Sequence, residues 1–110
     1  MTPDEKVAIV ARMEKAEIIR SLLEAAPSIR ARGGVGLSLF GSVKNDRAGP
    51  ASDVDLLLDF DRNRDFSLVD LIAIKHLLED RLQRPVDLLT RDGIDHRLKA
   101  RILADAERVF

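Results

Sequence analysis

Aspartates stand inside apolar runs that otherwise read as buried strands, and that conflict constrains this chain more than any other feature of it. Residues 54–60 read Val-Asp-Leu-Leu-Leu-Asp-Phe, and residues 86–89 read Val-Asp-Leu-Leu. Aspartate is a poor strand former and is costly to bury without a partner. Asp53, Asp55 and Asp87 therefore need a reason to be where they are. The first run alternates cleanly. Val54, Leu56, Leu58 and Phe60 point one way, and Asp53, Asp55, Leu57 and Asp59 point the other. Asp53 and Asp55 then project from one face, with Cα atoms about 6–7 Å apart. Asp87 joins them if its strand pairs beside theirs.

The rest of the chain supplies helices to cover such strands. Thr2 can cap a first helix, with Pro3 in its first turn and Asp4 and Glu5 at its positive end. Val7, Ala11, Ile18, Leu22 and Ala25 keep a helical stripe, as one helix or two, ending near Pro27. A turn over residues 28–32 leads to a Gly33-Gly34 stop and a strand over residues 35–40. Residues 43–52 are polar, contain Gly49-Pro50 and read as a loop, and residues 61–64 form a connection. Ser67 can cap a helix to about Leu82, with Leu71, Ile74, Leu78 and Leu82 inward. Pro85 introduces a short strand through Thr90, and residues 95–108 read as a last helix with Leu98, Ile102, Ala106 and Val109 inward. The order helix, strand, strand, helix, strand, helix predicts one small α/β domain over residues 1–110, with helices packed on a sheet.

Charge and composition narrow the function classes. Eighteen basic residues against nineteen acidic ones argue against bulk, charge-driven nucleic-acid binding. With no tyrosine or tryptophan and four phenylalanines, stacking platforms for single strands are scarce. No cysteine is present for a disulfide or a thiolate zinc site. No stretch has the length and apolarity to cross a membrane, and the first residues lack a signal peptide's pattern, so a cytoplasmic location is expected.

The acids suggest chemistry. Hard carboxylate oxygens suit Mg²⁺, which keeps positions for water and substrate phosphates. A pair of such ions can hold an attacking and a leaving oxygen in line. Gly41-Ser42, separated from Asp53 by ten residues, adds a turn whose glycine lets backbone approach a phosphate and whose serine can donate to it. Asp59 and Asp61 read as acids facing water. His76 and His96 lack metal-ligand companions at useful spacing and read as surface or capping residues. Arg97, Arg101 and Arg108 share one side of the last helix and read as a solvated face.

Leu39-Phe40-Gly41-Ser42, nine residues, then Ser52-Asp53-Val54-Asp55-Leu56 resembles the signature of the minimal nucleotidyltransferases, small members of the DNA polymerase beta superfamily. Arg84-Pro85-Val86-Asp87-Leu88 resembles the segment bearing that family's third acid. The resemblance implies an α+β nucleotidyltransferase-like mixed sheet and transfer of a nucleoside monophosphate, commonly AMP from ATP, with Mg²⁺. It implies that Gly41 and Ser42 bind the triphosphate and that Asp53, Asp55 and Asp87 hold metal and form the catalytic set. It also implies a partner, since family members often act as antitoxins that silence a HEPN-domain ribonuclease toxin by adding AMP to it. The family usually follows Gly-Ser with a small residue, an arginine and a glycine. Here Val43-Lys44-Asn45-Asp46-Arg47 stands instead, so Lys44 or Arg47 must offset the added Asp46 charge. A non-catalytic module that neutralises its partner by contact is the alternative; addition of nucleotides to RNA ends fits the balanced charge less well.

Overall fold

A computed structural model describes residues 3–44 and 53–110, with side chains described from Lys15 onward except those of Ser42 and Val43. A mixed sheet forms its centre. Strands β1 (Gly34–Phe40), β2 (Val54–Phe60), β3 (Val86–Thr90) and β4 (Glu107–Arg108) lie in the order β3-β2-β1-β4. β1 is antiparallel to both β2 and β4, while β2 and β3 run parallel. The helices are α1 (Pro3–Ala31), the short α2 (Gly41–Lys44), α3 (Leu68–Leu82) and α4 (His96–Asp105), with a 3₁₀ turn at Arg91–Gly93. The parallel β2–β3 pair needs a crossover, and α3 supplies it. This is the expected α+β arrangement. Among the described residues no helix is long and apolar enough to cross a membrane.

Strand alternation divides the core between two faces. Leu37, Leu39, Val54, Leu56, Leu58, Val86 and Leu88 pack against Ile18, Leu22, Ala25 and Ile29 of α1 and Ile74 and Leu78 of α3. Each fully buried aliphatic side chain there contributes about 1.5–3 kcal/mol. On the other face Phe40, Leu57 and Ile94 form a smaller cluster, closed by Leu89 and by Ile102, Leu103 and Ala106. α4 thus covers part of the face from which the aspartates project.

Two helix ends depart from expectation. α1 does not stop near Pro27 but continues through it to Ala31. Proline removes a helical hydrogen bond and disfavours the α conformation of the residue before it. Ala25, Ala26 and Ile29 are nonetheless buried there, and that packing outweighs the local cost. The stop falls at Gly33, whose φ is +102° and whose N–H donates to the Arg30 carbonyl at 3.0 Å. The last helix ends at Asp105, not near residue 108, because the open edge of β1 takes the chain as a strand. Val109 N–H donates to the Leu37 carbonyl at 2.8 Å, and Leu37 N–H donates to the Phe110 carbonyl at 3.1 Å. Val109 accordingly joins the larger core, Leu103 packs on the smaller one, and Leu98 is exposed instead of inward. α3 follows expectation, with Ser67 in a capping box with Asp70 and with Ile74 and Leu78 buried. Of the polar stretch, Val43 and Lys44 belong to α2, while residues 45–52 and Thr2 lie outside the described residues.

Candidate active site

The β2–β3 register sets Asp55 directly beside Asp87. In a parallel pair, residues in register project from the same face, on strands about 4.8 Å apart. Phe40 of β1 flanks Asp55 on its other side, so Phe40, Asp55 and Asp87 form one row across three strands. Asp53 lies just before β2, two residues from Asp55. Asp55 is half-buried, whereas Asp53 and Asp87 are exposed. Burial holds the Asp55 carboxyl above the usual carboxylate range, and the charges of Asp87 and then Asp53 push it further. Asp55 therefore feels the charge of both other acids. Among the described residues, however, no group of three or more His, Cys, Asp or Glu side chains is arranged to hold a metal ion. The acids are neighbours by register and by field, and the side chains of Asp53 and Asp87 are exposed. The donor set, carboxylate oxygens whose mutual repulsion a cation would relieve, fits a hard divalent ion such as Mg²⁺.

β1 delivers Gly41 to this row. Its φ is +75°, and a Cβ placed there would run into the Asp55 carboxylate, so both conformation and space require glycine. Gly41 N–H donates to Asp105 Oδ2 at 3.1 Å. Lys44 Nζ, at the other end of α2, donates to Asp105 Oδ1 at 3.4 Å. Lys15 Nζ of α1 donates to the Lys44 carbonyl at 2.8 Å and lies 3.5 Å from Glu107 Oε2. Segments far apart in sequence thus converge on one four-residue helix. The Ser42 side chain and Asn45, Asp46 and Arg47 lie outside the described residues.

The other charged residues fall elsewhere. Asp59 does not simply face water. Arg91 Nε donates to its Oδ1 at 2.6 Å, and Arg91 Nη2 to its Oδ2 at 3.3 Å. The pair lines a recess of about 160 Å³ with Leu58, Phe60 and Arg62. Asp61 accepts from the Asn63 N–H at 2.9 Å in an exposed turn. His76 and His96 are on the surface. Arg97 pairs with Asp95, and Arg108 belongs to β4, so the three arginines do not share a helix face. Asp105 and Lys15 were not legible as site residues. One signal was present for Asp105: an acid in the last turn of a helix opposes the macrodipole and suggests a specific partner.

The chain belongs to the nucleotidyltransferase-domain family, whose model matches residues 11–109. It is an enzyme of that class, a member of the DNA polymerase beta-like superfamily. It is similar to a Methanocaldococcus jannaschii protein named "Putative protein adenylyltransferase MJ0435", 40% identical over 73 residues that span 66% of this chain and 76% of that one. It also resembles a solved structure described as a "putative minimal nucleotidyltransferase", with a TM-score of 0.67 and 31% identity over 88% of this chain and 93% of that one. A toxin-antitoxin crystal structure with AMP-PNP shares the fold, with a TM-score of 0.67 at 15% identity over 84% of this chain and 72% of that one.

Proposed function

We propose that this nucleotidyltransferase moves AMP from ATP onto a partner protein in a Mg²⁺-dependent reaction, as the antitoxin half of a pair whose other member is a HEPN-type toxin. The observation that carries this reading is the row Phe40–Asp55–Asp87 with Gly41 pressed against Asp55. The adenylyltransferase name of a relative and the toxin-antitoxin assembly with the same fold support the choice of nucleotide and of partner.

In this scheme Asp53, Asp55 and Asp87 hold the cation, and Gly41 with Ser42 receives the triphosphate. The bound ion supplies charge neutralisation for the leaving pyrophosphate and a lowered pKa for the acceptor hydroxyl. The acceptor oxygen bonds to the α-phosphorus while the bond to the β-phosphate oxygen breaks. The hydroxyl proton passes to a carboxylate, and the exposed Asp87 is open to an incoming acceptor. Without a Cβ at Gly41 the turn lies directly against the Asp55 carboxylate, which sets its backbone beside the acids that would hold the cation.

The test is incubation of the protein with Mg²⁺, labelled ATP and the product of the neighbouring gene. Wild type should label that partner, and Asp53→Asn with Asp55→Asn should abolish labelling while leaving the fold intact. Full neutralisation of the partner by the double mutant without ATP, with no label transferred by wild type, would sink the enzymatic scheme and favour neutralisation by contact.

A further inference from the structure

Asp105 occupies an unfavourable position for an acid, the final residue of α4, where the helix dipole places partial negative charge. Its two oxygens serve both ends of α2. One accepts from Gly41 N–H at 3.1 Å and the other from Lys44 Nζ at 3.4 Å. The side chain is only 34% exposed, so this pairing is better shielded than a fully solvated one. Gly41 itself lies between two carboxylates. Asp55 fills the space a Cβ would take, and Asp105 accepts from its N–H. A glycine is free to adopt many backbone conformations, so the turn needs an external tie to hold φ at +75°. The partners are 64 positions apart in the chain, so the tie forms only once the fold has closed.

We propose that Asp105 is a positioning residue, which fixes the Gly41 turn in the conformation that receives the triphosphate and keeps the Lys44 ammonium at that turn. The inference rests on the nucleotidyltransferase scheme above but names a residue outside its catalytic set. The opposite role is an anion that occupies the turn and keeps the triphosphate out. Removing such an anion would tighten nucleotide binding.

Asp105→Ala and Asp105→Asn distinguish the two. Asparagine can still accept from Gly41 N–H through its amide oxygen but carries no charge for Lys44. Two quantities are read: amide hydrogen exchange over residues 38–44 without nucleotide, and the affinity for Mg-ATP. In Asp105→Ala, exchange at the turn should rise and Mg-ATP affinity should fall, each by about tenfold or more, as for loss of a hydrogen bond to a charged group. KM for Mg-ATP should rise by a larger factor than kcat falls. Asp105→Asn should restore the exchange protection and most of the affinity. Unchanged exchange in the alanine variant, or tighter Mg-ATP binding by either variant, overturns the proposal. A wild type that binds no Mg-ATP refutes the transferase scheme instead, and the exchange comparison still decides whether Asp105 fixes the turn. If alanine unfolds the protein, Asp105→Leu, which keeps the volume but accepts no hydrogen bond, takes its place: faster exchange at the turn with weaker Mg-ATP binding supports positioning, and unchanged exchange or tighter binding overturns it.

Discussion

Asp55 ionises at a cost. Burial is the largest cause, followed by the neighbouring charges of Asp87 and Asp53, and all of them raise its pKa from 3.8. A carboxyl whose pKa is higher folded than unfolded contributes stability below the unfolded value. That contribution is lost as pH rises through the folded value. At neutral pH the ionised group therefore penalises the metal-free fold. Asp55→Asn, which removes the charge at nearly constant shape, should raise the thermal midpoint in metal-free buffer at pH 7. The gain should shrink on acidification and disappear below about pH 3.8, where wild type is protonated as well. A midpoint that does not rise at neutral pH would show that Asp55 is not under this strain. Adjacency of Asp55 and Asp87 could be anticipated, because period-two alternation assigns both to one face once their strands pair. Asp105 could not, because what it does is defined by Gly41 on a different element.

Helix α1 shows where local signals yield to packing. Pro27 is a correct local reason to end a helix, yet Ile29, two residues beyond, is fully buried against the sheet. Proline in a helix interior costs about 3 kcal/mol relative to alanine. Alanine in its place would restore the missing donor but loosen the unfolded chain, at a cost of up to about 1 kcal/mol. Pro27→Ala should therefore stabilise the protein by about 2 kcal/mol in urea unfolding. A loss of stability would mean that the Pro27 ring makes a stabilising contact in the folded state. α3 shows the reverse. Its capping residue, its stripe and its last residue were all legible, because Ser67 and Asp70 form the cap within one turn of each other. β4 had no such signal. Two residues are too few for a period, and Glu107–Arg108 becomes a strand only because β1 has an edge to fill. Of the expected inward residues of the last segment, Ile102 and Ala106 pack on the smaller core together with Leu103, and Leu98 alone is exposed.

Across the whole molecule, the site is assembled from parts that the core holds separately. β1 contributes the residue before Gly41, β2 contributes Asp55, β3 contributes Asp87, and α4 contributes Asp105, which reaches back to Gly41. The larger core fixes the strands from one face, and the smaller cluster fixes α4 against the other. A ligand that binds the acids and the turn together would tie these parts to one another and bind only the folded chain. Stability should then rise with ligand concentration by mass action. At a hundredfold excess over its dissociation constant, Mg-ATP should stabilise the wild type by about 2.7 kcal/mol. For a domain of this size, that is a rise in the thermal midpoint on the order of 10 °C. ATP with a chelator should give much less, because uncompensated phosphates would meet Asp53, Asp55 and Asp87. Asp53→Asn with Asp55→Asn should lose most of the Mg-ATP shift while folding normally. An equal shift in wild type and in this double mutant would place nucleotide binding away from the acid row, and the row would then need another explanation for standing in apolar strands.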